Sequence, residues 1–306
     1  MRAVILSART GWHTDELSRA LGERDHSAVV VSYQGLVARP GAARSVRGAL
    51  CSDGIDLGDA DAVLARIIPN GSLEQIIYRV DALHWLEDRG VPVMNSARTI
   101  ERSVDKFYTT ALLQEAGLPT PPTIVCEDAD QAMAAVREMG DAIIKPLFGS
   151  MGHGMVRVSD PDVAFRVVRS LAQVPTIFYV QRAIEHEGCD VRAFVVGGRV
   201  IGAIERRVPP GEWRTNVSRG GSPRAIDLPP AWQQLAIRAA QAIGADYAGV
   251  DLLASRENEI FVIEVNGIPG WRGLQQATGI DVAGAIVERL AAKVEARAAA
   301  TPEVAG

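Results

Sequence analysis

Lysine is rare in this chain, and its positions are informative. Lysines occur only at Lys106, Lys145 and Lys293, and every other member of the 32 lysines and arginines is an arginine. A lysine kept against that bias suggests a site that needs a compact ammonium rather than a broad planar guanidinium. Lys145 follows the apolar residues 142–144 and precedes the glycine-rich segment 149–154. This order favours a tight phosphate pocket, although chance alone could also leave three lysines.

A second group of chemically active side chains lies near the end of the chain. Strands predicted at 247–254 and 259–266 form a hairpin, and the position of its turn places Asp251 opposite Glu264 with Asn266 on the same face. Two opposed carboxylates repel unless a cation lies between them, and Mg²⁺ prefers carboxylate and amide oxygens. We therefore predict a magnesium site; the alternative is an exposed carboxylate pair on the wet face of the hairpin.

A magnesium site, two isolated lysines and a glycine-rich segment together indicate a nucleoside triphosphate. The chain contains no G-x-x-x-x-G-K-[ST] motif and neither the H-R-D nor the D-F-G motif, so it is neither a P-loop protein nor a protein kinase. No G-x-G-x-x-G motif follows the first predicted strand, which argues against a dinucleotide site there. The triphosphate therefore requires a different binding architecture.

Composition narrows the choice of partners. The net charge of −5 argues against nucleic-acid binding. Residues 199–224 nevertheless hold six arginines and only two glutamates, which favours an anionic small substrate; the alternative is a solvated arginine-rich loop. No apolar run is long enough to span a membrane, and three widely spaced cysteines suggest free thiols in a reducing compartment. We expect a cytoplasmic protein.

The predicted elements that position these groups indicate an α/β (α+β) protein. Strands and helices alternate over residues 1–95, which predicts an open parallel sheet. A helix is expected to open with a capping oxygen at Thr14, and on the last strand the alternation directs Phe261, Ile263 and Val265 towards the core. The predicted units are an N-terminal domain (1–95), a central subdomain with the glycine-rich loop (96–181), a C-terminal subdomain with the magnesium site (182–296) and a flexible tail (297–306).

Several short motifs occur in the order expected for one family. The chain resembles the ATP-grasp superfamily, and specifically the RimK-type glutamate ligases, over roughly residues 96–290. The motifs that carry the resemblance are Asp105-Lys106, Ile144-Lys145 with the glycine-rich loop, Gln181 to Arg192, Ala203 to Arg207, Trp213 to Gly221, Ala248 to Asp251, and Glu264 to Gly270. Each motif is weak alone, but their order and spacing make the resemblance specific. It implies an ATP-grasp fold preceded by a pre-ATP-grasp domain.

The resemblance also implies roles for individual residues. The residues implied to contact the phosphates of ATP are Lys106, Lys145, Gly149, Ser150 and Gly152. The nucleoside is implied to contact Gln181, the backbone of Arg182 and Ala183, and Asp190, which would bind the ribose. The implied metal ligands are Asp251, Glu264 and Asn266. The residues implied to contact the transferred phosphoryl group and the acceptor carboxylate are Arg206, Arg214 and Asn216. The family usually has glutamate where Arg182 stands, and the segment to Asp190 is one residue shorter, so the adenine and ribose contacts depart from the family pattern.

The implied reaction is ATP-dependent amide formation through an acyl phosphate. The resemblance implies two Mg²⁺ ions, with Mn²⁺ as an alternative metal, L-glutamate as the amine and an anionic carboxylate as the acceptor. The segment 267–275 favours a coenzyme acceptor of the tetrahydromethanopterin or methanofuran type over the C-terminus of a ribosomal protein. Assembly into a homo-oligomer is also implied by the family. An ATP-binding sensor without turnover is the alternative of another class.

Overall fold

The structure, a computed structural model, describes residues 1–41, 48–149, 152–208 and 223–300. The strands in these ranges are β1 (Arg2–Ser7), β2 (Ser27–Ser32), β3 (Val37–Ala38), β4 (Leu50–Ser52), β5 (Ile55–Asp56), β6 (Ala62–Ala65), β7 (Val93–Met94), β8 (Thr123–Cys126), β9 (Ala142–Lys145), β10 (Val156–Val158), β11 (Phe178–Arg182), β12 (Cys189–Val196), β13 (Arg199–Arg207), β14 (Pro223–Ala225), β15 (Tyr247–Ala254) and β16 (Ile260–Asn266). The helices are α1 (Trp12–Gly22), α2 (Leu73–Arg89), α3 (Ala97–Val104), α4 (Lys106–Glu115), α5 (Ala129–Met139), α6 (Pro161–Leu171), α7 (Pro230–Ile243), α8 (Arg272–Thr278) and α9 (Val282–Ala300).

The predicted parallel sheet is present in the N-terminal part of the chain. Its strand order is β2-β1-β6-β7, and all three pairings are parallel. Strands β1 and β6 are buried on both faces, which explains their continuous apolar sequences. A separate sheet of the short strands β3, β4 and β5 was not predicted; strands of two or three residues leave too little alternation to be recognised.

Two antiparallel sheets form the rest of the molecule. The first has the order β10-β9-β11-β8 and packs against α5 and α6. The second has the order β14-β13-β12-β15-β16 and packs against α7. Strand β9 carries Lys145 at its end, and β16 carries Glu264 and Asn266. The predicted phosphate and metal groups therefore come from two different sheets.

The last helix belongs to the core of the N-terminal sheet. One hydrophobic cluster combines Ile5 of β1 and Leu17 of α1 with Ile286 and Leu290 of α9, all fully buried. The opposite face of the sheet packs against α2 and α3. Helix α9 continues to Ala300, past the predicted start of a tail at 297. None of the described helices combines the length and apolarity needed to cross a membrane.

Helix α1 begins earlier than predicted. It starts at Trp12, and Gly11 occupies the N-cap position. The hydroxyl of Thr14 accepts a hydrogen bond from the Gly11 N–H at 2.8 Å and donates to the Gly11 carbonyl at 2.7 Å. Thr14 therefore stabilises the first turn from inside the helix instead of preceding it, so its predicted capping position is wrong while its hydrogen-bonding function is retained.

Asn95 joins the N-terminal domain to the metal-site hairpin. Its side chain is fully buried. Nδ2 donates to the carbonyl oxygens of Tyr247 (2.8 Å) and Gly267 (2.6 Å), and Oδ1 accepts from the N–H groups of Asp246 (2.8 Å) and Tyr247 (3.3 Å). One amide thus holds both the start of β15 and the segment that follows β16. All its hydrogen-bonding groups are used, as burial of an amide requires.

We predict that Asn95→Ala lowers the free energy of unfolding by about 3–5 kcal/mol, because it leaves several buried backbone groups without partners. Urea unfolding followed by circular dichroism measures the change. Asn70→Ala, at an exposed position of the same domain, is the matched control and should change stability by less than about 0.5 kcal/mol. Equal, small effects of the two substitutions would contradict a bridging role for Asn95.

Candidate active site

Lys145 is a buried cation at the end of β9. Its ammonium donates to Oε1 of Gln181 at 2.5 Å. The antiparallel pairing of β9 with β11 sets this contact, because Lys145 pairs with Tyr179 and Gln181 lies two residues further along the same face. Burial lowers the pKa of Lys145 to about 8; the negative charge of Glu264 opposes this shift, and the positive charge of Lys106 adds to it.

Lys106 lies at the start of α4 and faces the glycine-rich loop. The carboxylate of Asp105 caps this helix by accepting from the Tyr108 N–H at 3.0 Å. The Lys106 ammonium donates to the carbonyl oxygens of Leu147 (3.3 Å) and Gly149 (2.8 Å). Burial lowers the pKa of Lys106, while Glu264 and Asp105 oppose the shift. Both predicted phosphate lysines therefore lie within the electrostatic influence of Glu264.

The predicted register of the metal-site hairpin is confirmed. Asp251 pairs with Glu264, and Gly249 pairs with Asn266. A bulge directly after Asp251 then makes Leu252 pair with Val262, so that Ile263 is an extra residue on β16.

The bulge changes which side chains of β16 reach the core. Val262 and Val265 are the buried residues, with exposures of 1% and 0%. Phe261 and Ile263 are only half-buried. The predicted inward direction of these two residues is wrong, because regular alternation does not continue through a bulge.

Asp251 is buried and held by two guanidinium groups. Arg192 donates from Nε and Nη2 to the two carboxylate oxygens, each at 2.7 Å, and Arg206 Nη2 lies 2.9 Å from Oδ2. Burial alone would raise the pKa of Asp251, but the two arginines overcome this effect and lower it to about 2. The carboxylate is therefore ionised at neutral pH, as metal ligation requires.

Glu264 has different surroundings from its strand partner. It is half-buried, and within the described ranges no basic side chain lies within the 4.0 Å of an ion pair. Asn266 is also half-buried, and its Oδ1 accepts from the Ile268 N–H at 2.9 Å. Among the described residues, Glu264 is thus an anion near the ammonium groups of buried Lys145 and half-buried Lys106, without an ion pair to either, an arrangement that leaves its oxygens able to ligate a metal ion.

Asp190 and Arg206 form a buried ion pair. The two residues are cross-strand partners on β12 and β13, and the Asp190 carboxylate accepts from both Nε and Nη2 of Arg206. Their side chains are 7% and 3% exposed. The ribose contact of Asp190 and the phosphoryl contact of Arg206 stay predictions, and the structure places Nη2 of Arg206 2.9 Å from Oδ2 of Asp251.

The predicted adenine-binding segment follows β11. The Gln181 amide donates to Oγ1 of Thr123 and to the Tyr179 hydroxyl, at 2.9 and 3.1 Å. The N–H of Arg182 donates to Pro122 O, and that of Ala183 donates to Asp141 O, both at 2.9 Å. Both N–H groups therefore donate within the protein, and the predicted contact of these backbone groups with an adenine base stays a prediction.

The glycine-rich loop is described in part. Gly149 and Gly152 have φ angles of +134° and +69°, in the left-handed region that favours glycine. Ser150, Arg214 and Asn216 lie outside the described residues, so their predicted roles stay predictions.

The described groups fit Mg²⁺ and a triphosphate. Among the described residues no cluster of three or more His, Cys, Asp and Glu side chains is present. A metal ion here would take the carboxylates of Asp251 and Glu264, the amide oxygen of Asn266 and oxygens of its ligand, which is the mixed set that Mg²⁺ uses with phosphates. The two ammonium groups supply the matching positive charge for the phosphates.

Three residues of the site region had no role assigned from the sequence. Arg192 has the largest charge effect on Asp251, and its position two residues after Asp190 on one strand face was the available signal. Arg66 is buried and donates to the Tyr247 hydroxyl and to Pro269 O, at 3.0 and 3.1 Å. His13 accepts from the Trp271 N–H at 3.2 Å, and burial with the charges of Arg66 and Arg272 lowers its pKa to about 4.

Comparison with known proteins gives consistent matches. Residues 103–290 match the family of RimK-like ATP-grasp domains. The chain is 36% identical over 261 residues to the tetrahydromethanopterin:alpha-L-glutamate ligase of Methanosarcina acetivorans, covering 76% of this chain and 81% of the relative. It is 35% identical over 294 residues to a probable alpha-L-glutamate ligase of Trichodesmium erythraeum, covering 95% and 96%.

Solved structures show the same fold. The RimK domain protein ATP-grasp from Sphaerobacter thermophilus is 25% identical with a TM-score of 0.74, covering 94% of this chain and 99% of that chain. The ATP-grasp ligase PsnB complexed with minimal precursor is 22% identical with a TM-score of 0.76, covering 95% and 98%.

The pKa of Lys145 predicts a specific pH dependence of stability. Between about pH 8 and pH 10.5 the folded protein has released this proton and the unfolded chain still binds it, so stability rises with pH. Lys145→Met removes this titration. We therefore expect the free energy of unfolding of the parent protein, relative to that of Lys145→Met, to rise by up to about 3 kcal/mol across this window. Urea unfolding of both proteins at pH 7.5 and pH 9.5 measures the difference, and a constant difference would contradict the assignment.

Proposed function

Because the chain belongs to the RimK-like ATP-grasp ligases, we propose that it joins L-glutamate to a carboxylate acceptor at the expense of ATP. The observation that carries the proposal is that Glu264, the strand partner of Asp251, acts electrostatically on both Lys106 of α4 and Lys145 of β9. Relatives named alpha-L-glutamate ligases, matched over most of both chains, support the same activity.

The reaction balances in two steps. An oxygen of the acceptor carboxylate attacks the γ-phosphorus of ATP, ADP leaves, and an acyl phosphate forms. The amine of glutamate then attacks the acyl carbon, inorganic phosphate leaves, and the amine releases a proton. Lys106 and Lys145 bind phosphate oxygens, and Asp251, Glu264 and Asn266 hold Mg²⁺, which supplies positive charge to the triphosphate. We propose two ions, with Mn²⁺ able to replace Mg²⁺.

The chain's own side chains mainly bind and orient the reactants. Lys145 provides a buried ammonium group, and its low-dielectric surroundings strengthen its attraction to phosphate. The arginines Arg206 and Arg214 and the amide of Asn216 are proposed to face the transferred phosphoryl group and the acceptor carboxylate. Water must be excluded because an acyl phosphate hydrolyses readily.

We propose a coenzyme of the tetrahydromethanopterin type as the acceptor. Two relatives carry this acceptor in their names, one of them from Methanococcus maripaludis at 30% identity over 293 residues. The alternative acceptor is the C-terminus of a ribosomal protein. Assembly of several copies and a cytoplasmic location stay predictions.

The test of the activity uses the purified chain with ATP, Mg²⁺, L-glutamate and either acceptor. Mass spectrometry should show added glutamyl units on the coenzyme, with one ADP formed per amide. Hydroxylamine in place of glutamate should trap the acyl phosphate as a hydroxamate. Formation of AMP would overturn the proposal. Nucleotide binding without any turnover would also overturn it and would favour a sensor. Glutamylation of the ribosomal peptide but not of the coenzyme would identify the peptide as the acceptor.

We predict that Glu264→Gln lowers kcat/KM for ATP by at least about 100-fold, because the loss of one charge removes a metal ligand and unbalances two ammonium groups. Steady-state kinetics with a coupled ADP assay measures the effect. Glu257→Gln, in the exposed turn of the same hairpin, is the matched control and should retain activity. Comparable activity of both variants would show that Glu264 does not hold the metal.

A further inference from the structure

A chain of hydrogen bonds joins the ammonium of one phosphate lysine to the backbone of the other. Gln181 accepts from Lys145 Nζ at 2.5 Å and donates from Nε2 to the Tyr179 hydroxyl at 3.1 Å. The Tyr179 hydroxyl lies 2.8 Å from Oγ1 of Thr110, which donates to the Lys106 carbonyl oxygen at 2.8 Å. We refer to these five residues as the hydrogen-bond chain.

Strand pairing and one helical turn produce the hydrogen-bond chain. Tyr179 is the direct partner of Lys145 across β11 and β9, and Gln181 is the direct partner of Thr123 across β11 and β8. Tyr179 and Gln181 lie two residues apart on β11 and therefore share a face. Thr110 lies on α4, one turn after the first residue of that helix. The chain thus connects the first antiparallel sheet to the helix that begins with the second lysine.

The direction of each hydrogen bond follows from the single hydrogen that a hydroxyl carries. Thr110 donates its hydrogen to a helix carbonyl, so it accepts from Tyr179, and the Tyr179 oxygen in turn accepts from Gln181. Thr123 donates to the backbone carbonyl two residues before it, at 2.8 Å, and its oxygen accepts from Gln181 Nε2 at 2.9 Å. Both oxygens that receive the Gln181 amide are therefore fixed as acceptors.

Two fixed acceptors determine which end of the Gln181 amide faces Lys145. Nε2 of Gln181 is held by Tyr179 and Thr123, which leaves Oε1 towards the ammonium. A flipped amide would point N–H groups at an ammonium, which has only donors. Lys145, Gln181 and Tyr179 are 7%, 3% and 2% exposed, and burial makes the loss of any one of these partners costly.

We propose that Tyr179 is a positioning residue that orients the Gln181 amide, whose oxygen holds the Lys145 ammonium in place for a phosphate of ATP. Thr110 fixes the Tyr179 hydroxyl in turn. The inference rests on the proposed function, since that assigns Lys145 to phosphate. An ammonium held in position before the nucleotide arrives needs little reorganisation when the phosphate binds.

The first test needs no nucleotide. The chain contains only three lysines, so lysine labelled with ¹³C at Cε gives few NMR signals, and Lys145→Met assigns the signal of Lys145. In Tyr179→Phe we expect the Lys145 signal to shift, because its acceptor is no longer held in one orientation. The signal of Lys293, which lies on α9, should stay in place. An unchanged Lys145 signal would overturn the inference.

The second test measures affinity for the Mg²⁺ complex of ATP by calorimetric titration. Tyr179→Phe should weaken binding about fivefold, the size expected for one neutral hydrogen bond. Tyr78→Phe is the matched control, because it removes an exposed hydroxyl that donates to the Leu36 carbonyl oxygen at 3.1 Å in the N-terminal domain. This variant should bind as the parent protein does. Parent-like binding by Tyr179→Phe would contradict the positioning role.

A double-substitution cycle tests the route through Gln181. Gln181→Met removes the amide that Tyr179 orients, so adding Tyr179→Phe to this variant should cause no further loss of ATP affinity. A general effect of Tyr179 on packing would persist in this background. A second loss of about fivefold would therefore show that Tyr179 does not act through Gln181, and the inference would fail.

Thermal unfolding shows whether each variant is folded. If Tyr179→Phe is not, Thr110→Val interrupts the same hydrogen-bond chain from its other end, with the same expected shift of the Lys145 signal and the same loss of affinity. Failure of the parent protein to bind ATP with Mg²⁺ would refute the proposed function. An unchanged Lys145 signal in a protein that does bind ATP would refute the positioning role alone, which keeps the two failures distinguishable.

Discussion

The requirement that buried charges be balanced governs the arrangement of this site. The register of β12, β15 and β16 places Arg192, Asp251 and Glu264 in one row across the sheet. Asp251 is neutralised within the sheet by two guanidinium groups, whereas Glu264 faces two ammonium groups from outside it. One carboxylate of the pair is therefore oriented by the protein, and the other is available to an added cation. A divalent ion placed between them would relieve their mutual repulsion without breaking the arginine contacts, because an ionised carboxylate can accept more than two interactions.

Residues of the N-terminal domain hold the strands that carry the row of Arg192, Asp251 and Glu264. Asn95, Arg66 and His13 hold the start of β15 and the segment after β16 through hydrogen bonds to Tyr247, Gly267, Pro269 and Trp271. Helix α9 returns from the C-terminal subdomain to complete the core of the N-terminal sheet. Tyr247 at the start of β15 belongs to the same hydrophobic cluster as Ile5 of the N-terminal sheet, so these contacts join the two predicted domains at that point. On the proposed mechanism, an acyl phosphate would benefit from such support, because it hydrolyses readily when water is admitted.

The sequence predicted those features that depend on local periodicity. The bounds of β15 were predicted to the residue and those of β16 to within one residue, and the pairing of Asp251 with Glu264 followed from the position of one turn. The bulge at Ile263 was not predictable, since an inserted residue changes the alternation without any marker in the sequence. Asn95, Arg66 and His13 were left without roles because their partners lie up to 258 positions away along the chain. Long-range contacts of single polar side chains leave no periodic signal.

On the proposed function, the two lysines would allow the protein to bind a triphosphate without a P-loop. Lys106 reaches the loop carbonyls of Leu147 and Gly149, and Lys145 reaches the amide oxygen of Gln181. Each ammonium is thus held by neutral oxygens, and burial lowers both pKa values. A phosphate oxygen that replaces a neutral oxygen forms a stronger, charge-assisted hydrogen bond and restores the preference for the protonated lysine. If these lysines bind the triphosphate as proposed, the cost of desolvating them in the free protein would be recovered on binding. The exchange at Lys106 would also release the carbonyl oxygens of Leu147 and Gly149, which would couple the triphosphate to the glycine-rich loop.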